Sequence, residues 1–155
     1  FPGHGDTLED THDGLAFTNK TKEELAQQEL LGFKTGIDAG ADMVMIGHMT
    51  VSEYSDQPST LSKEIVTDLL RGELGYDGVI ITDALNMGAI KAMGTAKIVV
   101  GALNAGCDIL LGPDSIFNAV SAIENAVERG ELSQKQIDES VSRILLLKLR
   151  SGIIE

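Results

Sequence analysis

Short apolar runs alternate with amphipathic stretches along most of this chain. Three of the runs share one form: GADMVMIG (Gly40 to Gly47), GYDGVIIT (Gly75 to Thr82) and GCDILLG (Gly106 to Gly112), each Gly-x-Asp followed by consecutive apolar residues. Runs that are apolar throughout predict strands buried on both faces of a parallel sheet. Each follows a stretch with helical spacing, and its leading glycine suits the left-handed position that ends a helix.

The helices carry their own start signals. Thr21 and Glu24 form a capping-box pattern ahead of Leu25, Phe33 and Ile37, which recur at helical spacing. Ser62 suits the cap of a second helix with Ile65, Leu69 and Leu70 on its inner face. A third fills Thr95 to Ala105, and a fourth runs from about Ser115 to Arg129 and is closed by Gly130. Ser133 and Gln136 open the last, with Ile137, Val141, Ile144, Leu145 and Leu149 as its buried stripe, ending near Gly152.

The order is a loop, then helix and strand three times, then two helices: an α/β chain with about three parallel strands and flanking helices. Three strands alone would leave two raw sheet edges, and a (β/α)8 barrel needs about 250 residues. The expectation is therefore the C-terminal portion of such a TIM barrel, one partial domain over 1–155. Residues 1–20 would form a catalytic loop, and 21–155 the αβ repeats and terminal helices. A small complete α/β fold is the competing reading.

Composition narrows the function. A net charge of −12 argues against nucleic acid or anionic lipid as a partner. The lone Cys107 excludes an internal disulfide framework, which favours a reducing compartment. It also leaves no thiolate zinc site, and no run is long enough to span a bilayer. No cofactor is expected.

Chemistry in α/β folds gathers at the C-terminal ends of the strands. His48 follows the first run, Asp83 the second and Pro113-Asp114 the third. A carboxylate in the position of Asp83 is held rigidly and is partly desolvated, as suits a nucleophile or ligand-binding acid; it equally suits a cap for the next segment. In the opening loop, FPGHGDTLEDTHDG, Asp10 and His12 point the same way if the backbone is extended. Asp10 would then hold one imidazole nitrogen and leave the other free for proton transfer. Two alternatives stay open there: a polar surface loop, or a metal-dependent hydrolase with His4, Asp6, Asp10 and His12 as ligands. His48 and Met87 are candidates for substrate contact. Against that, His48 can bond a neighbouring backbone, and Met87, like Met43, Met45 and Met49, can fill core or pocket wall. Cys107, at a strand start, reads as an inert buried thiol.

FPGHGDT followed by DTH, then ELLGFKTGIDAGADMVMIGH, PSTLSKEIVTDLLRGELGYDGVIITDALNMGAI and ALNAGCDILLGP, resemble glycoside hydrolase family 3, in its bacterial β-N-acetylglucosaminidase branch. The likeness covers almost the whole chain. It implies that Asp83, in TDAL, is the catalytic nucleophile, that His12 is the general acid/base, and that Asp10 is its partner. Thr11 stands where the family commonly has Ser. The family motif reads Lys-His-Phe-Pro-Gly-His-Gly and this chain opens at its Phe. The substrate-binding Lys and His, and the first five strands, are thus expected in a missing N-terminal half. The implied function is retaining hydrolysis of terminal β-linked N-acetylglucosamine from peptidoglycan fragments, in the cytoplasm or at the cell surface. The chain alone is expected to be an inactive fragment, needing that missing half or a second copy as partner. A non-catalytic half-barrel binding module is the remaining alternative.

Overall fold

A computed structural model of the chain describes residues 1–3 and 16–155. The order is β1 (Phe17–Thr18), α1 (Lys22–Gln27), α2 (Glu29–Asp38), β2 (Met43–Ile46), β3 (Thr50–Val51), a π helix (Glu64–Glu73), β4 (Val79–Thr82), α3 (Gly88–Lys91), α4 (Thr95–Ala105), α5 (Ile116–Glu128) and α6 (Gln134–Arg150). The central pair is β2 with β4, parallel, in the register Met43 to Val79 through Ile46 to Thr82. A small second pair joins β1 to β3, also parallel, and the sequence pattern gives no sign of it.

Local signals account for most element ends. The Thr21 hydroxyl accepts from the Glu24 N–H while the Glu24 carboxylate accepts from the Thr21 N–H, closing the capping box. Ser133 caps α6 through the Gln136 N–H, and Ser115 caps α5 through Asn118. Gly106 ends α4 at φ +113°, where a Cβ would also lie 2.6 Å from the Thr67 hydroxyl, so both conformation and space demand glycine.

The expected strands and helices are modified in four places. The first predicted helix breaks into α1 and α2 at Gln28, whose φ −122° and ψ −84° leave the helical region. The helix after Ser62 is wound with i to i−5 bonds at its end, Leu74 N–H to Leu69 O, yet still buries Ile65, Leu69 and Leu70. The third run lies parallel to β4 but makes only one bridge, Ile109 to Ile81. Side chains take the places of ladder partners there: the Asp108 carboxylate accepts from the Ile80 N–H, and the Thr82 hydroxyl from the Leu111 N–H. Finally, the α6 stripe is only partly covered: Val141, Leu145 and Leu149 are exposed, while Ile137 and Ile144 are half-buried and Ile137 packs against Leu103, Ala126 and Leu132. Polar contacts at its start also fasten α6, Gln136 to the Leu103 carbonyl and Ser140 to Asp108.

The main core lies between the strand pair and the helices. Ile46, Ile65, Val66, Leu70 and Ile80 are fully buried in it, each contributing about 1.5–3 kcal/mol by leaving water. β2 is not buried on both faces as its sequence predicts. Val44 and Ile46 are buried in the core, while Met43 and Met45 are exposed on an open cleft walled on one side by Phe33 and Ile37 of α2. No helix among the described residues is long and apolar enough to cross a membrane.

Candidate active site

Asp83 follows β4 directly. Its N–H donates to the Ile46 carbonyl at 2.8 Å, extending the β2–β4 ladder by one residue. Strand alternation puts its side chain on the face of Ile81 and Met45. That carboxylate borders a cleft of about 410 Å³ whose walls include Phe33, Met43, Met45 and Gly47. It is half-buried, and one carboxylate oxygen accepts from the Ala84 N–H at 2.7 Å. A rigidly seated carboxylate facing open space is suited to attack or to bind a ligand.

His48 stands one layer behind. It is fully buried, with Nδ1 2.7 Å from the Thr60 hydroxyl and Nε2 3.0 Å from the Ala84 carbonyl. A carbonyl only accepts, so Nε2 carries a hydrogen and donates it. Burial lowers the imidazole pKa below its ordinary value, with the Ala84 hydrogen bond and the Asp83 charge pulling the other way. On the other side the Thr60 hydroxyl, with a single hydrogen, lies between Nδ1 and the Gly47 carbonyl, to which it donates at 2.9 Å. Both ring nitrogens are thus engaged by protein groups, as in the backbone-bonded reading of this residue. Met87 is 8% exposed, which closes most of its thioether off from solvent, and its N–H donates to the Ala84 carbonyl.

His4, Asp6, Asp10 and His12 lie outside the described residues. The segments flanking them do not. The Gly47 N–H donates to the Phe1 carbonyl at 3.1 Å, and the Thr50 N–H to the Ala16 carbonyl at 2.8 Å. Both flanks are therefore held just past β2, at the same end of the sheet as Asp83. Asp114, after the third run, pairs with Lys91 at 3.3 Å across exposed surface. Cys107 is buried, and burial together with neighbouring Asp108 pushes its thiol up to about 12, which makes it unreactive. Among the described residues no three His, Cys, Asp or Glu side chains gather as a metal-binding group.

Sequence reasoning missed Thr60. It lies 12 positions from His48 in a short turn, and no spacing rule links a hydroxyl there to a strand-end histidine.

Parallel strands with outer helices and a carboxylate at a strand's C-terminal end fit a portion of a (β/α)8 barrel. Residues 1–147 match the family described as the glycosyl hydrolase family 3 N terminal domain, and the chain belongs to that family. A β-hexosaminidase of Stenotrophomonas maltophilia is 40% identical over 127 residues, which are 80% of this chain and 38% of that protein. The solved family 3 β-N-acetylglucosaminidase of Paenibacillus sp. str. FPU-7 superposes with a TM-score of 0.95 at 43% identity, covering 99% of this chain and 30% of that one. A zinc-bound structure of CbsA from Thermotoga neapolitana superposes with a TM-score of 0.88 at 30% identity, covering 93% of this chain and 32% of that one. The chain thus spans well under half the length of each of these relatives.

Proposed function

We propose that this chain carries the nucleophile and the acid/base of a retaining β-N-acetylglucosaminidase whose barrel is completed by further strands. The observation that carries the reading is Asp83: a half-buried carboxylate at a strand end, open to a cleft, with both flanks of the His12 segment held at that end. The names of the relatives, β-hexosaminidase and β-N-acetylglucosaminidase, support the sugar.

Asp83 attacks the anomeric carbon and displaces the aglycone oxygen. Protonated His12 gives that oxygen its proton. Water then attacks the glycosyl ester, neutral His12 takes the water's proton, and Asp83 leaves as carboxylate with the anomeric configuration retained. An imidazole of ordinary pKa about 6.5 serves in both directions near neutrality, and Asp10 stabilises its charged form. The substrates we propose are glycans ending in β-linked N-acetylglucosamine, with peptidoglycan fragments in the cytoplasm, or at the cell surface, as their source. The strands that complete the barrel supply further sugar contacts, from the same polypeptide or a companion chain.

The test is intact mass of the whole protein before and after a 5-fluoro-N-acetylglucosaminyl fluoride probe. One sugar added to the peptide holding Asp83 is expected; labelling elsewhere, or none with an active enzyme, removes the assignment. A second reading, metal-dependent hydrolysis through His4, Asp6, Asp10 and His12, is favoured by one observation, the zinc-bound relative. Activity that is lost to a chelator and restored by zinc would support it over the first.

A further inference from the structure

We propose that His48 is a positioning residue for the nucleophile, acting through the peptide that follows Asp83. This rests on the reading of Asp83 as nucleophile. The Ala84 to Leu85 peptide is clamped on both sides: its carbonyl accepts from His48 Nε2 at 3.0 Å and from the Met87 N–H at 3.1 Å, and its N–H donates to the Leu111 carbonyl at 2.8 Å. One residue earlier, the Ala84 N–H holds the Asp83 carboxylate at 2.7 Å, and the Asp83 N–H is tied to Ile46. The turn is therefore pinned to the ends of both flanking segments.

Of these anchors only His48 is a side chain, and it is a large polar ring in a fully buried place. A packing role alone would be met by leucine, without the cost of desolvating two ring nitrogens. The ring is held in turn by Thr60, itself fully buried, whose oxygen sits between Nδ1 and the Gly47 carbonyl. Thr60, His48 and Ala84 form one chain of hydrogen bonds running from the segment after β3 to the backbone of the nucleophile's turn. A rigid supporting shell of this kind fixes the angle at which a carboxylate meets its target.

The experiment compares His48→Leu, His48→Gln and Thr60→Val in the whole protein, reading the rate of Asp83 labelling by the fluoro-sugar probe, KM, pH profile and thermal midpoint. His48→Leu is expected to slow labelling about 100-fold with KM within about threefold, since a small misplacement of a reacting group costs rate rather than binding. His48→Gln places an amide N–H where Nε2–H was, and is expected within about fivefold of wild type with an unmoved pH profile. Thr60→Val is expected to slow labelling about tenfold, and decides the matter if His48→Leu fails to fold. Wild-type labelling rates in His48→Leu or Thr60→Val would overturn the proposal. So would His48→Gln labelling no faster than His48→Leu, or a pH profile moved by glutamine. Failure of the nucleophile reading is separate: it would appear in the unmutated protein as a label on a residue other than Asp83.

Discussion

Two aspartates sit at opposite ends of the strands and have opposite surroundings. Asp108 opens the third run with its side chain wholly buried. It accepts from Arg71 at 2.7 Å, from the Ile80 N–H at 2.9 Å and from Ser140 at 2.8 Å, with Arg143 at 3.5 Å. Arg71 in turn donates to the carbonyls of Tyr76, Gly78 and Gly106, so one ion pair ties the π helix, the approach to β4, the third run and α6 together. Asp83 closes β4 half-buried, with a single donor, the Ala84 N–H, on its carboxylate among the described residues. A carboxylate saturated by donors holds a fold; one left with open lone pairs over a cleft is available for chemistry.

Isosteric substitutions break this comparison most sharply. Asp83→Asn is expected to lower turnover by on the order of 10⁴-fold in the whole protein while shifting stability by no more than about 0.5 kcal/mol; steady-state kinetics and urea unfolding on one preparation check both. Asp108→Asn reverses the pattern. Leaving the half-buried Arg71 without its counter-charge is expected to cost about 3 kcal/mol, and the molecules that remain folded should keep their rate. If Asp108→Asn depressed the rate of folded protein, the division between the two ends would fail.

Smaller changes sharpen the contrast. Thr21→Ala removes one half of the capping box, far from both aspartates, and is expected to lower stability by about 1 kcal/mol with no effect on rate, read as a drop in thermal midpoint. The last test is in pH. Burial depresses the His48 pKa, so between that value and the ordinary 6.5 the folded chain binds fewer protons than the unfolded one. Stability from this residue is complete above about pH 6.5 and declines as pH falls through that window. His48→Gln removes the term, so the stability of wild type relative to the variant should fall on acidification. A difference constant with pH would mean that His48 is not held neutral.

The three Gly-x-Asp repeats show how far the sequence could be read. Asp42, Asp77 and Asp108 look alike in the chain, yet Asp42 and Asp77 are exposed and only Asp108 is buried and paired. Nothing local distinguishes them; Arg71, Ser140 and Arg143 are 37, 32 and 35 positions away. The α6 stripe is covered only at Ile137 and Ile144 for a related reason. Its spacing is helical and apolar, but spacing says which residues share a face and not whether another element covers it.

Features set by neighbours in the chain were decided by sequence alone. Thr21 with Glu24, Ser133 with Gln136, and Gly106 at its positive φ act within a few residues, where backbone geometry leaves little choice. The place of Asp83 at a strand end belongs to this group too, because an apolar run followed by Thr-Asp fixes where the strand stops. What Asp83 faces, why Asp108 is silent, and how His48 and Thr60 come to stand behind the nucleophile's turn belong to the tertiary structure. Each depends on side chains brought together across dozens of residues, and such contacts are chosen by packing and by the need to pair every buried polar group.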